Sequence, residues 1–346
     1  MPQQGRKMLF FLGAGASVGA GAFAQVQGTG RIPILTQATF WQTFLRFCKN
    51  KAHRKVIESF LFRYFLGYRK VPSRLTPAKR RPLLKGVDVE EVFTFVSERV
   101  RAPGTSPQLR KYAGGVWEAL VTEIGVVFAR FRANVSTRAS FRMFLRHHVR
   151  SHDAIVSFNY DTIFEHSLPV SCGWCYEGVN ERNNGLRVLK PHGSVNWEAG
   201  EEIKVVARPN RSAIVAPTHL KFVETNAAQT SPDEPEDESN DLTFGFLDQS
   251  PQIQKIWTEM EKEMRQAKAL VFIGYSFPLA DLYFSSVLRS VLASRDGTPA
   301  LVIVNPDAVA IQDRLRARFP IEKVLLYYDL RTFLQTTREQ LLRQLS

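Results

Sequence analysis

The sequence predicts an α/β protein: a doubly wound parallel sheet with an inserted, mainly helical subdomain. Three observations carry that prediction. Short apolar runs at residues 8–12, 153–158, 186–189, 269–273 and 300–304 recur with helical stretches between many of them, as expected of strands buried on both faces of a parallel sheet. Glycine and polar motifs stand at the carboxyl ends of these runs, where open α/β sheets bind ligands. Between the first run and the second, aromatic residues recur at helical spacing among Arg and Lys over residues 40–150, a period of helices rather than strands.

The first run breaks into Gly13-Ala14-Gly15-Ala16-Ser17. Glycine tolerates the tight turn and the close approach of a backbone to a ligand. A helix over residues 16–24 would then offer its N–H groups and positive dipole end to a phosphate. Residues 25–31 read as a polar connection, followed by Ile32-Pro33. From Phe40 the helical period begins, with Phe40, Phe44 and Phe47, then Phe60, Phe62, Tyr64, Phe65 and Tyr68. Residues 69–86, with Pro72, Pro77 and Pro82, read as a basic, turn-rich stretch, and further helices are predicted over 87–96, 108–132 and 136–150.

Strands resume at 153–158, ending in Asn159-Tyr160-Asp161, and at 186–189, ending in Lys190-Pro191-His192-Gly193. A third apolar stretch at 212–218 reads as another strand, and the acidic residues 226–241 read as a mobile surface loop. A helix over 251–266 leads to the strand 269–273 and Gly274-Tyr275-Ser276. The remainder reads as a helix (280–293), a strand (300–304) ending in Asn305, a helix (307–318), a strand (323–328) and one amphipathic helix from 329 to the end. The chain is therefore expected to be one domain, in which residues 1–39 and 151–346 form a Rossmann-like part and 40–150 an insertion.

Composition narrows the class. Hydrophobic content of 44% and charged content of 23% are those of a soluble globular protein, and no apolar run is long enough to span a membrane. Arg6 and Lys7 precede an apolar run, as in a signal peptide, but that run ends after five residues at the glycines; the expectation is a cytoplasmic protein. Three cysteines, Cys48, Cys172 and Cys175, do not make a secreted disulfide framework. Cys172-Gly173-Trp174-Cys175 has the spacing of a zinc pair, but a four-ligand zinc site would want a second pair. Two loop thiols and no metal are expected. Residues 41–150 hold 23 Lys and Arg against 7 Asp and Glu, a balance of +16 in a chain whose net charge is +13. That insertion reads either as amphipathic helices with aromatics inward and charges in water, or as a cationic surface for nucleic acid or an acidic protein partner.

Taken singly, Asn159-Tyr160-Asp161 and His192-Gly193 read as ordinary turns. Taken together and in order, Gly13-Ala14-Gly15-Ala16-Ser17, Asn159-Tyr160-Asp161, His192-Gly193, Gly274-Tyr275-Ser276 and Asn305 resemble the sirtuin (SIR2) superfamily over residues 8–35 and 150–330. The resemblance implies NAD⁺ as the substrate, with Gly13, Ala14, Gly15 and Ser17 at the pyrophosphate and Gly274, Ser276 and Asn305 along the adenosine half. It implies Asn159 beside the nicotinamide ribose, positioning the attacking oxygen, Asp161 ordering that pocket, and His192 as the general base. The chemistry is consistent with those residue types. Nicotinamide leaves as a neutral molecule from an oxocarbenium-like transition state, so no strong acid is needed, and a base with a pKa near 7 suits the attacking water.

The chain departs from the protein-deacetylating members. Its one Cys-x-x-Cys pair precedes His192, and of the Gly-Ile-Pro-Asp-Phe-Arg stretch only Ile32-Pro33 is present. It looks like the bacterial antiphage-defence branch, which implies an NAD⁺ hydrolase producing nicotinamide and ADP-ribose and acting by NAD⁺ depletion. Such an activity would be toxic if unregulated, so control by assembly or by a partner is expected, in a homo-oligomer; the resemblance implies a HerA-type ATPase or a short Argonaute carrying guide nucleic acid as that partner. The alternatives are an NAD-dependent protein deacylase and a non-catalytic module that binds NAD or ADP-ribose.

Overall fold

A computed structural model describes residues 7–26, 30–180, 185–215, 250–293 and 298–345. Strand β1 (Met8–Leu12) has all five side chains buried and passes through Gly13 into a short helix, α1 (Ala14–Gly19). The helix expected to reach residue 24 stops at Gly19. Gly21 takes a left-handed φ of 83°, which a helix cannot continue through. The chain beyond it forms a hairpin, β2 (Phe23–Val26) against β3 (Gly30–Pro33), where the sequence predicted a connection.

The helices α2 (Phe40–Phe47), α3 (Lys51–Tyr64), α4 (Pro77–Arg80), α5 (Val89–Arg101), α6 (Pro107–Phe128) and α7 (Val135–His148) follow. Their starts are written in the sequence. Asn50, Asp88, Ser106 and Asn134 each accept a backbone N–H of the helix that follows, contacts worth about 1 kcal/mol apiece. The aromatics of this segment mostly turn inward. Phe44, Phe60, Phe62 and Phe93 are fully buried, and the Phe60 ring packs against Tyr64, Phe95 and Tyr112. Within the basic stretch, the prolines start α4 and a 3₁₀ turn at Arg81–Leu84.

The rest of the chain comprises β4 (Ala154–Ser157), β5 (Trp174–Tyr176), β6 (Leu186–Leu189), β7 (Gly193–Glu198), β8 (Lys204–Val205), β9 (Ser212–Ile214), α8 (Pro251–Gln266), β10 (Ala269–Ile273), α9 (Leu282–Ala293), β11 (Ala300–Val304), α10 (Ala308–Arg316), β12 (Val324–Tyr327), α11 (Leu330–Gln335) and α12 (Arg338–Gln344). Seven strands form one sheet in the order β12-β11-β10-β1-β4-β6-β5. Every pairing in it is parallel. From β1 the chain winds outward through β4, then returns to β10 on the other side of β1. This is the Rossmann-like doubly wound fold, and its direction reverses between β1 and β10, where such sheets open a crevice. The core is continuous across it: Phe11 stacks on Phe272 at 4.5 Å, and Phe10 meets Phe144 of the helical insertion at 5.1 Å.

Several expectations need correcting. Residues 212–214 form a strand outside the main sheet, antiparallel to β7 in a three-stranded sheet ordered β8-β7-β9. A three-residue apolar run cannot by itself distinguish these placements. The final helix is two, because Thr337 and Gln340 form a capping box that starts α12 afresh. Cys175 is not a loop thiol but a buried residue of the edge strand β5, while Cys172 lies in a 3₁₀ turn. The acidic stretch 226–241 lies outside the described residues. Among those described, no helix is long and apolar enough to cross a membrane.

Candidate active site

A cavity of about 490 Å³ opens at the carboxyl ends of β1, β4, β10 and β11, within the range of small-molecule sites. Eight of the ten residues singled out from the sequence line it: Gly13, Ala14, Gly15, Asn159, Asp161, Gly274, Ser276 and Asn305. They meet because the carboxyl ends of parallel strands share one edge of the sheet. Ser17 and His192 are not on its wall. The insertion also reaches it, through Phe40, Glu90 and Phe128.

The glycines serve a purpose that the sequence leaves hidden. A Cβ on Gly13 would stand 2.5 Å from the Gly274 carbonyl oxygen, and one on Gly15 would stand 2.7 Å from the Gly274 Cα. The Gly15 N–H donates to that same carbonyl at 3.0 Å. The two turns therefore press backbone on backbone, and the close approach that requires glycine is to another part of the chain. Gly274 is the more constrained partner: its φ is +63°, and a Cβ there would lie 2.1 Å from the Ala16 nitrogen. Gly274→Ala is expected to cost roughly 2–5 kcal/mol, from left-handed strain plus overpacking. Urea denaturation measures it, and an unchanged midpoint would contradict the packing described.

Asn159 ties the second strand end to this turn. Its Nδ2 donates to the Gly13 carbonyl at 3.0 Å and to Ser17 Oγ at 3.5 Å. Its Oδ1 is buried and has no hydrogen-bond partner among the described residues. Ser17 Oγ in turn donates to both carboxylate oxygens of Asp161, at 3.4 and 3.5 Å, so Ser17 supports the site from behind. Asp161 is buried, and desolvation pushes its carboxyl from 3.8 up to about 6, against the downward pull of the Lys190 ammonium and the Ile163 N–H.

A carboxyl with a raised folded-state pKa binds its proton more tightly folded than unfolded. Stability is then highest below the unfolded value and falls as the pH rises from about 4 to about 6, by on the order of 3 kcal/mol. Asp161→Asn, which keeps an acceptor for the Ile163 N–H, is expected to melt above the wild type at pH 8. At pH 4 that advantage should shrink or vanish. An advantage independent of pH would refute the assignment.

Two buried charges beneath the site escaped sequence reasoning. Lys190 is completely buried; its Nζ donates to the Asp161 carbonyl at 2.6 Å and pairs with Glu165 Oε1 at 2.9 Å. The signal was a lysine directly after an apolar strand. Tyr176 Oη donates to the same carboxylate at 3.3 Å.

His192 stands at the end of β6, only 1% exposed. Its Nε2 lies 3.4 Å from Asp281 Oδ2, and Tyr275 Oη donates to that oxygen at 2.6 Å. The Phe158 ring packs 4.9 Å from the imidazole. Phe158, Tyr160 and Tyr275 line the cavity, whereas His192 and Asp281 sit behind them. Asp281 was also missed: it precedes α9 and accepts the Phe284 N–H at 3.3 Å, so in sequence it reads as a cap. Gly193 has a structural duty, since its φ is +80° and a Cβ would lie 2.0 Å from the Ala213 carbonyl oxygen.

At the far end of the cavity Asn305 accepts the Asp307 N–H at 3.0 Å and reaches the Tyr275 carbonyl at 3.4 Å. Ser276 is exposed there. The three cysteines are free thiols, and among the described residues no group of three His, Cys, Asp or Glu side chains is placed to hold a metal. His148 is buried and stacked on Phe333 at 4.2 Å.

No curated protein matches the chain. The family model for the SIR2-like domain matches residues 153–325. That half of the chain runs from β4 into β12 and carries Asn159, Asp161, His192, Gly274, Ser276 and Asn305, while the glycine turn precedes it. The chain belongs to the SIR2-like family, which implies an NAD-dependent enzyme with NAD⁺ as its substrate.

Proposed function

We propose that the protein is an NAD⁺ hydrolase that yields nicotinamide and ADP-ribose, and that it serves antiphage defence by depleting NAD⁺. One observation carries this reading: Asn159 lines the cavity beside the glycine turn, and its Oδ1 is a buried acceptor without a partner among the described residues. An unsatisfied buried acceptor costs about 1–3 kcal/mol, and a donor on a bound ribose or water offsets that cost. The wall suits such a ligand. Ala14 and Gly15 would adjoin the pyrophosphate, Ser276 and Asn305 the adenosine half, and Asn159 and Asp161 the nicotinamide ribose. When bound, NAD⁺ supplies an N-glycosidic bond whose leaving group is neutral.

The chain's own residues then divide the work. Asn159, anchored through Nδ2 to Gly13, aims its free oxygen at the attacking water. Asp161 holds the turn through Ser17 and Ile163. His192 is the base in this reading, and the Asp281 carboxylate, 3.4 Å from its Nε2, would stabilise the imidazolium that forms when it takes up the proton. Because such an activity is toxic, the proposal includes control by assembly, in a homo-oligomer with a HerA-type ATPase or short Argonaute partner.

Product analysis with NAD⁺ and no peptide tests the reaction. Nicotinamide and free ADP-ribose in equal amounts are expected. Turnover that needs an acyl-lysine peptide would make the protein a deacylase. NAD⁺ binding without either product, partner present, would make it a nucleotide-binding module.

A further inference from the structure

A second cavity of about 870 Å³ adjoins the first, with Asp161 and Phe128 belonging to the walls of both. Its lining is strongly basic. Lys49 comes from the loop after α2, Arg130 and Arg132 from the turn after α6, Arg138 from α7 and Arg208 from the loop after β8. Among the described residues Asp161, itself buried, is the one carboxylate on that lining. Elsewhere basic residues of the insertion are matched: Arg80 pairs with Glu58 at 3.4 Å, and His53 lies 3.0 Å from Glu123. Among the described residues none of the five cations of the chamber has such a carboxylate partner.

Five cations without a carboxylate partner among the described residues, of which Arg130 lies over the Phe47 ring, focus a positive potential into one concavity. Guanidinium groups, with their forked donors, suit phosphate oxygens in particular. The chamber also offers aromatic and apolar surface, Phe128, Phe131 and Val206, beside polar Asn196, as a base and sugar require. We propose that this chamber is a second ligand site that binds a phosphate-bearing nucleotide, distinct from the cavity between β1 and β10. It does not depend on the hydrolase reading, because its recognition chemistry lies in the insertion and the loop after β8. The phosphate ester can belong to a free nucleotide or to the 5′ end of a strand.

Calorimetric titration of the full chain with tripolyphosphate, ATP and a short 5′-phosphorylated single-stranded DNA, each with and without saturating NAD⁺, tests this. Binding is expected to persist in NAD⁺ and in Asn159→Ala, to weaken with added salt, and to fall at least ~10-fold in Arg132→Glu/Arg208→Glu, as loss of charge-assisted contacts implies. Arg132→Gln/Arg208→Gln, whose melting temperature should match the wild type, decides the matter if the double reversal does not fold. ATP binding more tightly than the DNA identifies a free nucleotide; the reverse identifies a strand end. Absence of binding by all three probes, displacement by NAD⁺, or affinity indifferent to both arginine pairs would overturn the proposal.

Discussion

Asn159→Ala is expected to reduce NAD⁺ cleavage by about 10²–10³-fold, the usual cost of removing a preorganised polar group from a reacting centre. Its cost in stability should be small, about 1 kcal/mol for the lost bond to the Gly13 carbonyl. The two effects are expected to separate because Asn159 has two ends: Nδ2 is bonded to the protein, whereas Oδ1 has no protein partner among the described residues. Asn159→Asp sharpens the test. It keeps the shape and an oxygen at the cavity but turns the Nδ2 donor into an acceptor against the Gly13 carbonyl. That variant should lose both turnover and stability. Product formation and melting temperature are the two readouts. Wild-type turnover in Asn159→Ala would remove this residue from the mechanism.

Lys190→Met should produce the largest loss of stability, about 3–5 kcal/mol, the cost of breaking a buried ion pair by removing one partner. The Glu165 carboxylate, 2% exposed at its side chain, would lose its cation, and the Asp161 carbonyl would lose its 2.6 Å donor. Adding Glu165→Gln should recover part of the loss, because the second change removes the orphaned charge. Denaturant midpoints of the single and double variants measure this. A single variant costing under about 1 kcal/mol would mean that the pair is solvated. Loss of Lys190 should also raise the Asp161 carboxyl further, since its ammonium is the main downward influence on that group.

These two residues also mark how far the sequence could be read. Asn159 was legible because it follows an apolar strand, and any polar residue in that place faces the carboxyl edge of a parallel sheet. Lys190 follows a strand too, yet its partner Glu165 lies 25 residues earlier in a 3₁₀ turn, and no local pattern announces that meeting. His192 shows the same limit differently. Its position after β6 was evident, but its depth behind Phe158 depends on the aromatic rings of Tyr275 and Phe284 packing on Phe158, contacts between distant parts of the chain.

By itself the sequence determined six of the seven parallel strands, all but the edge strand β5, together with most of the helices of the insertion and the edge on which eight site residues gather. Those follow from local physics: continuous apolar runs need two covered faces, caps start helices, and parallel strands end on one side. The tertiary structure decided why Gly13, Gly15 and Gly274 are glycines, that residues 212–214 leave the main sheet, that Lys190 and Glu165 pair, and that a basic chamber shares Asp161 with the first cavity. Each of these is a distance between segments remote in sequence. Hydrophobic periodicity reports whether a residue is covered, not which residue covers it.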